Sequence, residues 1–323
     1  MIKEIRNNQP DNVLRIEYMP GNLCNYRCNY CFPGSNEGDK PWPDVELVKQ
    51  NLSHLLSHYA RHGKTKSDIF IVGGEPTLWK ELENLCLYLK ENFDVILEMS
   101  TNGSRKVPWW QKNAGYFDHI GVSVHNDFAK LDHIIEVCDA LYERGVFVNA
   151  DVLMDPLCFD KCMDNVEYLK RSKYEWPIIA KIVHYNGQHR YNQTQLKYFQ
   201  DSIKRYPSPE WYNKTARRSQ RLVTITREDE QIIETNDDGW ITRNKLNYFK
   251  GWKCNLGVDL IKIFPNGTIT GNCQQLLYGK DFYYNLHDPN FSEIFNPEIK
   301  PVTCSKLICG CNEEVVCDKI KYE

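Results

Sequence analysis

The 323-residue sequence predicts an α/β fold, a partial (β/α)6 TIM-like barrel followed by a small β-hairpin and loop domain rich in cysteine. Three observations carry this. From Val13 to Asn186, short β-rich runs alternate with amphipathic stretches, the pattern of successive βα units around a parallel sheet. At roughly 30 residues per unit, this span of about 174 residues holds about six units, fewer than the eight that close a full barrel. Nine of the thirteen cysteines also fall into two groups, three at Cys24, Cys28 and Cys31 and six between Cys254 and Cys317, with Cys86, Cys138, Cys158 and Cys162 scattered between.

Six β-rich runs supply the strands: Leu14 to Tyr18, Asp68 to Gly73, Val95 to Ser100, His119 to Val124, Val146 to Met154 and Ile178 to Val183. Between them, Asp44 to His62, Leu78 to Phe93, Lys130 to Arg144 and Phe159 to Arg171 carry apolar residues at three- and four-residue spacing, as amphipathic helices do. Trp109 to Phe117 is a weaker fifth helix. Residues 187–252 read as a linker or insertion with one helix (Gln193 to Tyr206) and one hairpin, LVTITRE with QIIETN. Residues 253–323 hold a second hairpin, DLIKIF-PNG-TITGN, whose Asn-Gly suits a tight turn that needs φ > 0. The division is therefore 1–186, 187–252 and 253–323.

Hydrophobic residues make up 41% and charged residues 26% of the chain, as in globular proteins rather than disordered ones. A formal net charge of -3 gives no long-range attraction to nucleic acid or an anionic membrane. The N-terminus, MIKEIRNNQPDNVLRIEY, has no apolar signal core, and no window approaches a membrane span, so a cytoplasmic protein with no membrane partner is expected. Thiols in such a protein stay reduced and are available as metal ligands.

The run CNYRCNYC lies in the loop after the first barrel strand, where the active sites of parallel barrels form. Thiolates hold iron-sulfur clusters, and four complete a 4Fe-4S cube; this run supplies three. An unfilled position on a metal is the mark of a site that takes substrate or cofactor. The alternative is a zinc knot finished by a distant residue; His54, the next candidate, lies inside a predicted helix. With its CxxxCxxC spacing and Tyr30 before the last cysteine, the run resembles the signature of the radical S-adenosylmethionine (radical SAM) superfamily. The resemblance implies that the cluster's fourth iron chelates S-adenosylmethionine. An electron from the cluster then cleaves the cofactor to methionine and a 5'-deoxyadenosyl radical, which abstracts hydrogen from substrate.

The second strand ends in GGEPTL, and Gly73, Gly74, Glu75 and Pro76 resemble the family's glycine-rich motif that contacts the methionine amino group. Glycines there permit close backbone approach and φ > 0. Ser100, Thr101 and Asn102 after strand three, Ser123 on strand four and Asp151 on strand five resemble its ribose and carboxylate contacts. Strand-end Ser and Asn also serve as caps and turn formers. The GxIxGxxE pattern often seen on strand five is not found.

Cys254 and Cys273 flank the second hairpin, and CSKLICGCNEEVVC adds Cys304, Cys309, Cys311 and Cys317. The arrangement resembles the SPASM or twitch extension of radical SAM enzymes, which holds auxiliary iron-sulfur clusters. It departs from a full SPASM domain, having too few cysteines for two clusters and a CxxxxCxC spacing. The expectation is one auxiliary 4Fe-4S cluster on Cys254, Cys273 and two of Cys304, Cys309 and Cys311, with Cys317 in reserve. A structural zinc would accept the same donors.

The resemblance points to a peptide or protein substrate, modified at side chain or backbone, and to an external electron donor such as flavodoxin or ferredoxin. A small molecule, a nucleotide or RNA is the alternative substrate, and a non-enzymatic metal-dependent scaffold the alternative class. The barrel starts within about a dozen residues of the N-terminus, so a leader-dependent enzyme is expected to use a separate recognition protein. Lys214, Arg217, Arg218 and Arg221 lie near Trp211 and Tyr212, a composition that suits nucleic acid but reads first as solvated loop.

Overall fold

The computed structural model describes residues 2–31, 33–183, 190–202, 223–235, 240–270, 284–305, 307–309 and 315–321. It opens with a strand absent from the expectation above, β1 (Ile2–Asn7), followed by β2 (Val13–Tyr18) and α1 (Val45–Arg61). Then come β3 (Lys66–Ile71), α2 (Leu82–Asn92), β4 (Val95–Thr101), α3 (Val107–Asn113), β5 (His119–Val124), α4 (Leu131–Glu143), β6 (Phe147–Leu153), α5 (Phe159–Leu169) and β7 (Ile178–Lys181). Beyond α6 (Gln193–Ser202) lie β8 (Val223–Arg227), β9 (Ile232–Thr235), α7 (Trp240–Arg243), β10 (Lys253–Cys254), β11 (Leu260–Ile263) and β12 (Thr268–Thr270). The chain closes with β13 (Tyr284–Asn285), α8 (Phe291–Ile294), β14 (Val302–Thr303) and β15 (Lys319–Ile320).

The main sheet has nine strands in the order β13-β12-β11-β2-β3-β4-β5-β6-β7. Strands β2 to β7 are the six expected ones, each parallel to the next, and the sheet stays open rather than closing into a barrel. The expected C-terminal hairpin is divided in its role. Its first strand, β11, pairs parallel with β2, Leu260 opposite Arg15 and Ile263 opposite Tyr18, and thereby covers an edge that would otherwise expose unpaired backbone groups. The β11–β12 turn contains Gly267 at φ 82°, as the Asn-Gly signal predicts.

A second, antiparallel sheet in the order β14-β10-β15-β1-β8-β9 gathers the N-terminus, the β8–β9 hairpin and the cysteine-bearing segments. The hairpin expected within residues 187–252 forms as β8 and β9, and what the linker reading did not include is that β8 also pairs with β1, from Asn7 opposite Val223 to Ile2 opposite Arg227. Ile2, Ile5, Val223, Ile225, Phe249, Trp252 and Val315 form a small core of its own. Two further differences are local. The expected helix at Leu78 begins instead as a 3-10 turn, Pro76–Leu78, started by a Glu75 cap on the Thr77 N–H. The weaker helix becomes α3 followed by a second 3-10 turn, Ala114–Tyr116.

Period-two alternation gives the main sheet two unlike faces. Leu14, Ile16, Ile69, Ile71, Leu97, Met99, Ile120, Val122, Val148, Ala150 and Val152 pack against the helices and are buried. Helix α1 offers Val48, Leu52, Leu55 and Tyr59 in return, and its first turn is capped by Asp44 accepting from the Leu47 N–H at 2.9 Å. The opposite face is polar. Arg15 meets Asp68 at 3.1 Å, Lys262 meets Glu17 at 3.1 Å, and His119 lies 3.6 Å from Glu98 and 2.6 Å from the Asn149 side chain. The Asn149 amide donates to Asp151 at 2.8 Å, and Lys181 lies 3.9 Å from the same carboxylate.

This charged wall yields a test of stability. Arg15 and Asp68 are each less than a tenth exposed, so replacing Asp68 with alanine takes a buried carboxylate away from a buried guanidinium. Unfolding in urea is expected to show a loss of about 3–5 kcal/mol for Asp68→Ala, most of it recovered in the double variant Arg15→Met, Asp68→Leu.

Candidate active site

The loops that follow the parallel strands converge at their carboxyl ends. The cysteine loop follows β2, Gly73–Pro76 follows β3, Asn102–Arg105 follows β4, and His125–Phe128 follows β5. All three cysteines of the first group are half-buried thiols outside any disulfide. Among the described residues, no three His, Cys, Asp or Glu side chains converge on one point as a single metal ion would require. A 4Fe-4S cube takes one thiolate per iron, so its ligands need not converge.

The cysteine loop is held from both sides. On one side, the Glu75 N–H donates to the Leu23 carbonyl at 2.8 Å. The carboxylate of Glu75 is fully buried and accepts from the Thr77 hydroxyl at 2.6 Å, the Thr101 hydroxyl at 2.7 Å and the Asn102 N–H at 2.7 Å. Asn102 in turn donates its side-chain amide to Asn25 at 2.8 Å and lies 3.8 Å from the Cys24 sulfur. Glu75 is therefore a tie between three loops, with its oxygens engaged inside the protein. Burial pushes its pKa up, against the hydrogen bonds that lower it.

On the other side, the His125 Nδ1 lies 3.1 Å from the Cys28 sulfur and 3.0 Å from the Tyr30 hydroxyl, and the Tyr30 and His125 rings stack at 5.9 Å. Tyr26 stacks on Phe128 at 4.9 Å. Burial holds His125 down at about 4, which keeps the imidazole neutral, and pushes the Cys28 thiol up to about 11. Burial likewise raises Cys24, with the nearby Glu75 carboxylate adding to it. Thiols in this state stay protonated until a metal takes them, since ligation supplies the positive charge that favours thiolate.

Tyr30, Gly73, Gly74, Glu75, Thr101 and Asn102 thus gather around the cysteine loop, with Pro76 buried at the start of the 3-10 turn. Ser100, Ser123 and Asp151 lie instead on the polar wall, the two serine hydroxyls 3.5 Å apart. Burial raises the pKa of Asp151, with Lys181 and His119 opposing it. Cys273 and Cys311 lie outside the described residues, as do Lys214, Arg217, Arg218 and Arg221. His125, Tyr26, Phe128, Glu98 and His119 were not singled out from sequence. A usable signal was present for Glu98 and His119: charged or polar residues at alternate positions of strands that a parallel sheet buries on both sides.

The three thiols share one loop at strand ends, two glycines let the next loop pass beside it, and aromatic rings flank it; these donors fit an iron-sulfur cluster. Residues 18–175 match the sequence model of the Radical SAM superfamily. This is a radical SAM domain. Its cofactors are a 4Fe-4S cluster and S-adenosylmethionine, and its superfamily is one of enzymes. S-adenosylmethionine-dependent nucleotide dehydratase of Thermoplasmatales archaeon (strain ISO4-H5) is 28% identical over 142 residues, 40% of this chain and 48% of its own. GTP 3',8-cyclase of Haemophilus influenzae (strain ATCC 51907 / DSM 11121 / KW20 / Rd) is 36% identical over 117 residues, 35% of this chain and 33% of its own. The matches thus span a third to a half of these relatives. The chain is similar in fold to native anSMEcpe with bound AdoMet, with a TM-score of 0.52 and 17% identity over 87% of this chain and 80% of that one. No described helix is long and apolar enough to cross a membrane.

Glu75→Gln tests the tie between the loops. Each carboxylate oxygen accepts from a backbone N–H, Oε1 from Thr77 at 3.2 Å and Oε2 from Asn102 at 2.7 Å, so in either orientation the glutamine amide turns its own N–H against one of them and a buried donor loses its acceptor. A loss of about 1–3 kcal/mol is expected, read as a lower melting temperature.

Proposed function

We propose that the protein cleaves S-adenosylmethionine reductively and abstracts hydrogen from a peptide or protein substrate. The observation that carries the first part is the cysteine loop pinned between Glu75 and His125 at the carboxyl ends of the strands. Cys24, Cys28 and Cys31 would hold the cluster, and Tyr30 and the Gly73–Pro76 loop would contact the cofactor. When bound, the cluster and S-adenosylmethionine supply a 5'-deoxyadenosyl radical. An external low-potential donor such as flavodoxin or ferredoxin delivers the electron.

The polar wall supports a peptide over a polyphosphate. Its cations Arg15, Lys181 and Lys262 each face a carboxylate, and Glu98 adds a fourth acid. A triphosphate would have to break one of these pairs, whereas amide groups can use both halves of a pair. A nucleotide substrate is the second reading, favoured by the names of the two relatives above. The C-terminal cysteines, in this reading, hold one auxiliary metal centre, either a 4Fe-4S cluster or zinc.

The test is anaerobic reconstitution with iron and sulfide, then dithionite and S-adenosylmethionine, with 5'-deoxyadenosine followed by mass spectrometry. Deuterated peptides and GTP are offered in separate arms. Deuterium carried from peptide into the nucleoside supports the first reading, and nucleoside formation stimulated only by GTP replaces it with the second. Release of S-adenosylhomocysteine would indicate methyl transfer. No nucleoside in any arm, despite a well-formed cluster, would favour an enzyme gated by a substrate other than these or a binding scaffold.

A further inference from the structure

Gly121 stands in the middle of β5, and nothing in the backbone there calls for glycine. Its φ is not positive, and the β4–β5 and β5–β6 registers run through it without a bulge, Ser100 opposite it on one side and Asn149 on the other. Ile120 and Val122 pack against the helices, so alternation turns Gly121 to the polar wall. The three atoms nearest to a methyl added at Gly121 belong to side chains, the Asp151 Oδ2 at 3.5 Å and the Asn149 Nδ2 and Oδ1 at 3.7 and 3.9 Å, all ordinary contacts. Glycine inside a strand weakens it and often marks a place where a ligand comes close.

The acceptor beside this gap is held in one orientation. Asn149 meets His119 through its Oδ1 at 2.6 Å, and its Nδ2 donates to the Asp151 Oδ1 at 2.8 Å. Lys181 lies 3.9 Å from that same oxygen. The other oxygen, Oδ2, accepts from none of the described residues and is the one nearest the Gly121 gap. Ser123, opposite Asp151, and Ser100 bring two hydroxyls 3.5 Å apart, each able to donate or accept. Lys181 already balances the Asp151 charge, so a neutral group suits the gap better than an ammonium or a second carboxylate. The gap lies four residues before His125, roughly 13 Å along a strand, and so deeper in the sheet than the cysteine loop.

We propose that the row centred on Gly121 is a pocket for an amide group of the substrate, whose N–H donates to the Asp151 Oδ2 and whose carbonyl accepts from the Ser100 or Ser123 hydroxyl. Gly121 makes the room, and Asp151 sets the chemistry. The proposal rests on the reading above that the substrate is a peptide, where such groups belong to Asn and Gln side chains or to the backbone. A guanine ring carries the same pairing of N–H and carbonyl, and the test separates the two sources. Asp151 moves thereby from the expected cofactor contacts to the substrate.

Wild type, Gly121→Ala and Asp151→Asn are compared as full chains. Crystals of each are soaked in acetamide, methylammonium or acetate, probes that require no identified substrate. Acetamide is expected on the Asp151 Oδ2 of wild type and absent from Gly121→Ala, whose methyl takes the space an N–H needs. Asp151→Asn removes the carboxylate beside Lys181 and is expected to take acetate instead. Gly121→Ala should melt at or above wild type, because the change strains no φ and stiffens the unfolded chain. After reconstitution with iron and sulfide it should retain S-adenosylmethionine in equilibrium dialysis as wild type does. Its kcat/KM for nucleoside formation stimulated by deuterated peptides or by GTP should fall about 10- to 100-fold, the loss of one hydrogen bond to a charged acceptor.

Acetamide missing from wild type, or bound equally in Gly121→Ala, overturns the proposal, as does methylammonium preferred at Asp151. A Gly121→Ala protein that melts well below wild type makes the glycine a structural need, and one that loses S-adenosylmethionine gives the gap to the cofactor; either result also overturns it. Stimulation by GTP alone, lost in Gly121→Ala, keeps the pocket and replaces the peptide reading. Stimulation by peptides that is unchanged in Gly121→Ala keeps that reading and removes the pocket.

Discussion

Anaerobically reconstituted Cys28→Ala protein, given dithionite and S-adenosylmethionine, is expected to form no 5'-deoxyadenosine above the enzyme-free level, and so are Cys24→Ala and Cys31→Ala. The expectation follows from the loop. Each thiol is one of three donors in a half-buried run, and no further cysteine lies in the loops that meet it at the ends of β3, β4 and β5. Losing one donor leaves two protein ligands for a cube, and iron content should fall by about four per chain. The controls are Cys86→Ala and Cys138→Ala, fully buried on α2 and α4, which should lose some stability and keep cleavage. Cleavage that survives in any of the three loop variants would sink the ligand assignment.

Gly74→Ala is expected to do nearly as much damage by a different route. Gly74 sits at φ 55°, and a methyl there would lie 2.8 Å from the Asn22 carbonyl carbon and 2.9 Å from that of Leu23. Both are backbone atoms, so neither can swing away, and the clash falls just before Cys24. The conformation alone costs a side chain of order 1–3 kcal/mol, and displacement of the cysteine loop adds to that. Gly34→Ala separates the two effects, because Gly34 also has positive φ, at 81°, but nothing within 4 Å of the added methyl. Melting temperature and iron content should both fall in Gly74→Ala, while Gly34→Ala loses some stability and keeps its iron. Equal iron in the two would show that the close approach of the loops does not matter for loading.

Gly74 also shows how far its motif could be interpreted from sequence. The glycines imply close backbone approach, and the structure supplies the object: the missing side chain of Gly74 faces the cysteine loop. Glu75 was expected among the cofactor contacts, and its carboxylate is spent on Thr77, Thr101 and Asn102. A buried acceptor that serves three loops leaves no trace in local spacing, because Thr101 and Asn102 lie more than twenty residues downstream. His125 was missed for the same reason, as it meets Cys28 from 97 positions away.

What was legible in the chain alone is what short range encodes. The CxxxCxxC run, the GGEP turn, the six β-rich runs of the barrel and the Asn-Gly hairpin each occupy a window in which spacing maps directly onto strand, helix or turn geometry. The partners of those windows belonged to the tertiary structure. β1 joins β15 near the far end of the chain, β11 closes an edge of β2, and β10, β14 and β15 are two residues each, too short to show alternation. The polar wall was written in the strands as charged or polar residues on one face, such as Arg15 and Glu17 on β2 and Asn149 and Asp151 on β6, yet which met which depended on register between strands. Local propensity sets which residues extend and which turn; long-range pairing is settled by burial and charge matching between segments that the sequence does not place side by side.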